Sequence, residues 1–143
     1  MSLATGFSRA QNGLQAPQVR VEVHVAGGLP AFTIVGLAET AVRESRDRVR
    51  AAIQNAGLEF PQRRITVNLA PADLPKEGGR FDLPIALGIL AASGQIPAQA
   101  LQGHEFAGEL ALSGELRGVH GILPMTLKTV AAGRTAVVPR ENA

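Results

Sequence analysis

The stretch Arg63–Gly88, RRITVNLAPADLPKEGGRFDLPIALG, contains a strand pattern, a loop and the start of a helix pattern in direct succession. Arg64–Leu69 alternates polar and apolar residues, which predicts a strand with one buried face. Pro71–Gly79 is rich in proline and glycine and predicts a loop. Leu83–Ser93 is almost wholly apolar, with Pro84 in its first turn, and predicts a buried helix. A strand, a loop and a buried helix in direct succession indicate a mixed architecture.

Upstream of this stretch the periodicity changes twice. Val19–Val25 alternates apolar and polar residues and predicts a strand, which turn residues at Gly27–Pro30 end. Ala31–Val35 predicts a second strand, which we expect to pair with the first as a hairpin. Ala38–Asn55 then repeats apolar residues at helical spacing, and Gly57 provides a stop. The upstream half therefore predicts two strands followed by one amphipathic helix.

Downstream, three more elements are expected. Glu109–Leu112 and Glu115–Arg117 flank a Ser-Gly turn and predict a tight hairpin. Ile122–Ala132 predicts a helix, and Thr135–Val138 a last strand. The 143 residues suffice for one compact α+β domain. The chain stops abruptly after that strand, as an excised domain would, so we expect residues 1–143 to be a single domain.

The composition narrows the class of protein. Hydrophobic residues make up 45% and charged residues 18%, as in globular chains. The chain has no cysteine, which excludes disulfides and thiolate metal sites and favours a reducing cytoplasm. The N-terminus lacks the pattern of a signal peptide, and the longest apolar stretch, Leu83–Ala92, is too short to span a bilayer. We expect a soluble cytoplasmic protein without a membrane partner.

The charge is concentrated in the middle of the chain. The formal net charge is only +2, although the segment from Arg43 to Arg80 contains eight basic and five acidic residues. The basic residues are Arg43, Arg46, Arg48, Arg50, Arg63, Arg64, Lys76 and Arg80; the acidic ones are Glu44, Asp47, Glu59, Asp73 and Glu77. This surplus could attract phosphates.

A solvated helix face would explain the same charges. Glu39–Arg43, Arg43–Asp47 and Glu44–Arg48 are spaced for ion pairs one helical turn apart. Arg46 and Arg50 have no acidic partner at that spacing, so both interpretations remain open.

Known catalytic motifs are missing from the sequence. No G-x-x-x-x-G-K-[ST] loop is present to hold ATP phosphates, and no G-x-S-x-G elbow to hold a nucleophile. His104-Glu105 begins like a zinc-binding helix, but Gly108 stands where the second histidine ligand would be. The residues therefore predict a domain without catalytic, cofactor or metal residues, and without a small-molecule substrate.

Three stretches carry a resemblance to one family. Gly28–Leu37 (GLPAFTIVGL), Thr40–Arg50 (TAVRESRDRVR) and Arg63–Gly88 together resemble the ChlI-type N-terminal domain of the ComM/YifB magnesium-chelatase-like AAA+ family. The resemblance implies a ribosomal protein S5 domain 2-like (Lon-protease-like) fold, with a mixed sheet and about three helices. It also implies that a separate AAA+ domain of a longer protein binds ATP and magnesium.

The Lon-like fold invites a test for the serine–lysine pair of Lon proteases. Aligning the serine loop with Pro75–Asp82 places Arg80 at the serine position, and aligning the second motif places Leu123 at or near the lysine position. Arginine cannot be an acyl nucleophile and leucine cannot be a general base. The resemblance therefore implies the fold but argues against proteolysis.

Lys76 and Arg80 flank the pair Gly78-Gly79 at the foot of the buried helix. Two cations and two exposed amides could bind a phosphate. The alternative is that Arg80 pairs with Glu77 or Asp82 and only holds the loop.

The family resemblance implies a hexameric helicase motor that promotes branch migration during natural transformation, with this domain aiding ring assembly and DNA engagement. The alternatives are a purely structural oligomerisation domain without DNA contact, and a degenerate peptidase. The candidate contacts to an anion, DNA or a neighbouring subunit are Arg43, Arg46, Arg50, Arg63, Arg64, Lys76, Gly78, Gly79 and Arg80.

Overall fold

A computed structural model describes residues 2–76 and 78–142. Its centre is a four-stranded mixed sheet in the order β1-β2-β4-β3. The strands are β1 (Ser2–Arg9), β2 (Gln18–Ala26), β3 (Ala31–Val35) and β4 (Arg64–Ala70). β2 pairs antiparallel with both β1 and β4, whereas β3 runs parallel to β4.

The hairpin expected from β2 and β3 is wrong, because β4 lies between them. Ala31 opens the β3–β4 ladder by donating its backbone N–H to the Arg63 carbonyl at 3.3 Å. Two parallel neighbours need a crossover, and the helix after β3 provides it. β4 can occupy the centre because its inward side chains, Ile65, Val67 and Leu69, are completely buried.

The described residues contain three α-helices, each within one or two residues of its predicted bounds. They are α1 (Glu39–Asn55), α2 (Asp82–Ala92) and α3 (Ile122–Ala131), and short 3-10 turns occupy Ala98–Leu101 and Arg140–Asn142. α2 packs across β1 and β2, and α1 packs against α2 and β3. The close approach of α2 depends on Gly88, where an ideal Cβ would lie 2.5 Å from a Val23 methyl carbon. The mixed α+β architecture with three helices is thus confirmed.

Four short strands complete the fold. They are β5 (His104–Phe106), β6 (Glu109–Leu110), β7 (Leu116–Arg117) and β8 (Thr135–Val137). β6 and β7 form the predicted hairpin, and β8 pairs in parallel with β5. Neither β5 nor β1 was expected from the sequence. Among the described residues, no helix is both long and apolar enough to cross a membrane.

A buried carboxylate ties these parts together. Glu105 on β5 is fully buried and accepts hydrogen bonds from Arg9 Nε at 2.6 Å and Nη2 at 3.1 Å. Arg134 Nη1, at 2.9 Å, and Thr129 Oγ1, at 2.8 Å, complete its shell. Burial alone would raise the pKa of Glu105, but these donors outweigh burial and lower it. One side chain therefore links β1, β5, α3 and the segment before β8.

Candidate anion-binding site and nucleic-acid interface

The pair Gly78-Gly79, in the loop that precedes α2, borders two clefts. One, of about 310 Å³, is lined by Gly78, Gly79 and Arg80 together with Glu109 and His120. The other, of about 330 Å³, shares the glycine pair and Glu109 but is lined by Lys76 and Arg48 rather than Arg80. The two cations of the loop therefore line different clefts. They do not converge on one site.

Arg80 is buried, with only 4% of its surface exposed. Its Nη1 donates to the His120 carbonyl at 2.7 Å, its Nη2 lies 3.8 Å from the Met125 sulfur, and its Nε has no partner among the described residues. Burial lowers the pKa of Arg80. Pairing with Asp82, one of the alternatives expected from the sequence, is wrong, because Asp82 is bound to other residues. Glu77, the other alternative partner, lies outside the described residues.

Lys76 is also buried, and its ammonium group is used inside the loop. It donates hydrogen bonds to the carbonyls of Pro71 and, at 2.9 Å, Leu74. Burial lowers the pKa of Lys76, although the nearby Asp73 opposes the shift. Lys76 therefore closes its own loop, while the backbone of Gly78 is exposed beside it.

Asp82 connects α1 to the start of α2. Its carboxylate accepts hydrogen bonds from Ser45 Oγ at 2.7 Å, Arg48 Nε at 2.6 Å and the Leu110 backbone N–H at 3.1 Å. Burial raises the pKa of Asp82, and the bonds from Arg48 and Ser45 oppose that shift. The expected Glu44–Arg48 pair is corrected here: Arg48 turns inward to Asp82, where a fully buried carboxylate offers a stronger partner than an exposed one.

Five of the candidate arginines lie on α1 and around the start of β4. We call four of them, Arg43, Arg46, Arg50 and Arg63, the basic face. The first three follow one another at positions i, i+3 and i+7 of α1, which places them on one stripe of the helix. Arg63 and Arg64 stand at the start of β4, where Arg64 is the register partner of Ala31 at the start of β3.

Contacts near the start of β3 connect the arginines of α1 to Arg63. Arg46 Nη1 donates to the Phe32 carbonyl of the edge strand at 3.1 Å. The Arg50 guanidinium lies 5.1 Å from the centre of the Phe60 ring, a cation–π distance. Arg50 and Arg63 also line one cleft of about 230 Å³. Arg63 therefore shares one surface with the helix stripe. Arg64 alternates with the buried Ile65 along β4, so its side chain lies on the opposite face of the sheet, away from the helices.

The basic face forms no ion pair within residues 2–76 and 78–142. The ion pairs there involve Arg9, Arg48 and Arg134, and none of the four arginines of the basic face. Arg43, Arg50 and Arg63 are exposed. The aromatic rings nearby, Phe32 and Phe60, are buried against each other and cannot stack on a nucleic-acid base. This surface can therefore attract a polyanion by charge but not by base stacking.

The two positions aligned with the Lon dyad differ in their surroundings. Arg80 is buried against α3, and Leu123 on α3 is 70% exposed. Within the part of the chain that the structure describes, no three histidine, aspartate or glutamate side chains are grouped to hold a metal. Local sequence patterns did not predict the Glu105 and Asp82 clusters, because both are assembled from residues remote in the chain.

Comparison with known proteins places this architecture in a family. Residues 21–142 match the family described as subunit ChlI of Mg-chelatase. The chain is 58% identical to the competence protein ComM of Haemophilus influenzae. It is 57% identical to the uncharacterized protein YifB of Salmonella typhimurium and 54% identical to that of Escherichia coli. Each match spans at least 99% of this chain but only 28% of the relative's length, at its N-terminal end.

Proposed function

Because this chain belongs to the family described as subunit ChlI of Mg-chelatase, we propose that it is the non-catalytic N-terminal module of a ComM/YifB-type AAA+ ATPase, and that it engages DNA. The ribosomal protein S5 domain 2-like fold is part of this proposal. So is a cytoplasmic location, where such a motor would meet DNA.

The basic face is the observation that carries DNA engagement. Four arginines on one surface, without ion-pair partners among the described residues, form a local positive field on a chain whose net charge is only +2. Such a field recognises the phosphate backbone irrespective of sequence. A duplex or a single strand passing along the start of β3 would meet the arginines of α1 and Arg63 together.

The rest of the proposal concerns the longer protein. ATP and magnesium would bind in a following AAA+ domain, and six copies would form the ring. The name of the Haemophilus relative, a competence protein, supports a role in natural transformation. Within that role the motor would act as a helicase in branch migration, and this module would support ring assembly and guide DNA.

Fluorescence anisotropy with labelled single- and double-stranded DNA, at several salt concentrations, tests the proposal. The variant Arg43→Ala/Arg63→Ala removes two exposed charges of the basic face. The matched control Arg117→Ala/Arg140→Ala removes two exposed charges elsewhere. Each phosphate contact contributes about 0.9 to the slope of log affinity against log salt on duplex DNA, and about 0.7 on a single strand. We therefore expect the first variant to weaken binding and to lower the slope by about 1.8 on duplex DNA and about 1.4 on a single strand, if both arginines contact phosphate.

Equal losses in both double variants would indicate a response to net charge alone and would contradict the assignment to the basic face.

The second candidate function is a structural oligomerisation domain without DNA contact. The burial of Phe32 and Phe60 favours it, since single-strand binders usually offer exposed aromatic rings. Absence of binding even at low salt would select this second function.

A further inference from the structure

Helix α3 is apolar on two opposite sides. One side buries Met125 and Thr129 completely against the body of the domain. The other exposes Leu123, Leu127 and Val130, at 70%, 63% and 66% of their surfaces. We call these three residues the outer stripe. Their positions i, i+4 and i+7 place them on one line along the helix.

An ordinary surface helix turns a polar face to water, whereas a helix that is apolar all round belongs in an interior. α3 has a single charged residue, Lys128, and it lies between the two apolar sides. Single exposed leucines are common on proteins, but a contiguous row of large apolar side chains marks a contact surface. The outer stripe is therefore the surface of α3 that lacks its partner in residues 2–76 and 78–142.

The end of the described chain lies close to this helix. The Asn142 side chain forms two hydrogen bonds of 3.0 Å with the backbone of Val119, and Glu141 accepts one from the Gly118 N–H at 3.2 Å. Val119 lies two residues before Gly121, the residue that caps α3. A polypeptide that continues from Asn142 therefore starts near the N-terminal end of α3.

The neighbouring strand is also short of partners. β8 packs against α3 and pairs, over three residues, with β5 in the only ladder that the described residues give it. Parallel strands are normally covered and belong to larger sheets. In the relatives compared above, the matched region is only the N-terminal 28% of the chain, so most of each relative follows it.

We propose that the outer stripe binds, within the same molecule, the polypeptide that follows Asn142 in a longer chain of ComM/YifB type. That segment presents an apolar face to Leu123, Leu127 and Val130. A second copy of the chain is the less favoured occupant, because a segment tethered near the start of α3 has an effective concentration in the millimolar range. The domain boundary expected at residue 143 then moves towards the C-terminus.

Thiol labelling tests this proposal, because residues 1–143 contain no cysteine. Leu127→Cys places a thiol on the outer stripe. Lys128→Cys places the matched control on the next residue, which is exposed but lies off the stripe. Each is introduced into the full-length chain, with its other cysteines replaced by serine, and into the 143-residue chain. Maleimide labelling rates are measured over a range of protein concentrations.

In the 143-residue chain we expect similar rates at positions 127 and 128. In the full-length chain we expect the rate at position 127 to fall at least about tenfold, independently of concentration, while position 128 keeps its rate. Val130→Cys repeats the measurement should Leu127→Cys fail to fold. Equal rates at positions 127 and 128 in the full-length chain would overturn the proposal. Protection that grows with protein concentration would also overturn it, in favour of a second copy.

Discussion

Replacing Glu105 by glutamine is expected to lower the free energy of unfolding by about 3 kcal/mol at neutral pH. The substitution keeps the shape of the side chain and removes its charge. It leaves the Arg9 guanidinium, whose side chain is only 9% exposed, without a carboxylate partner. Removing one partner from a buried ion pair costs about 3–5 kcal/mol, since the remaining charge stays buried.

The lower end of that range applies here for two reasons. Glutamine still accepts a hydrogen bond, so Arg9 and Thr129 keep part of their interaction. Arg134, the third donor, is 25% exposed, and water replaces part of what it loses. For a chain of this length each kcal/mol shifts Tm by about 2–4 °C, so the expected fall in Tm is about 10 °C.

The difference between the wild type and Glu105→Gln should also depend on pH. Because the pKa of Glu105 is lowered in the folded state, its charge stabilises the fold above the ordinary glutamate value of about 4.3. That contribution is lost as the pH falls through the lower pKa of the folded state. The stability gap should therefore be widest near pH 7 and narrow in acid.

Thermal and urea unfolding, followed by circular dichroism between pH 3 and pH 8, measure this gap. Glu115→Gln, at an exposed residue, is the matched control and should remain within about 0.5 kcal/mol of the wild type. A gap below about 1 kcal/mol at pH 7 would refute the assignment of Glu105 as the residue that holds the parts together. A gap that stays constant into acid would refute its charge as the cause.

Three further substitutions have distinct expected outcomes in urea unfolding. Asp82→Ala should cost about 3 kcal/mol because it removes the acceptor of the bonds from Ser45, Arg48 and the Leu110 N–H, and an unchanged midpoint would contradict those bonds. Arg80→Met should leave the free energy of unfolding within about 1 kcal/mol of the wild type or raise it. The reason is that it removes a buried charge whose Nε lacks a partner among the described residues. A loss above about 3 kcal/mol would reveal a counter-ion. Gly88→Ala should cost about 1–3 kcal/mol, despite alanine's better helix propensity, because its Cβ would press on Val23, and a gain would disprove that contact.

Local pattern was enough to predict most of the elements. The helices α1, α2 and α3 and the strands β2, β3 and β4 follow from periodicity and turn residues, which act over a few neighbouring positions. β1 was not predicted because SLATGFSR mixes small and polar residues and lacks the alternation of β-branched residues that is typical of a strand. β5 escaped because three residues are too few to show a period.

Strand pairing and the direction of side chains were harder to predict from the sequence. The pattern of β3 fits a hairpin with β2 as well as it fits a parallel pairing with β4, since both bury Phe32 and Ile34. For the candidate site, spacing indicated that Arg46 and Arg50 lack acidic neighbours, and the structure shows no ion pair for either among the described residues. Spacing could not show that Arg80 and Lys76 point inward, because burial depends on elements that are distant in sequence.

The position of β4 has a consequence for how the chain is made. A ribosome releases residues 18–35 well before residues 64–70, and at about 5–20 residues per second the delay is roughly 2–7 s. During that interval β2 and β3 each present a hydrogen-bonding edge that only β4 will fill. Nascent chains are therefore most exposed to mispairing while α1 is being synthesised. Slow translation through Glu39–Asn55 should increase the need for a chaperone.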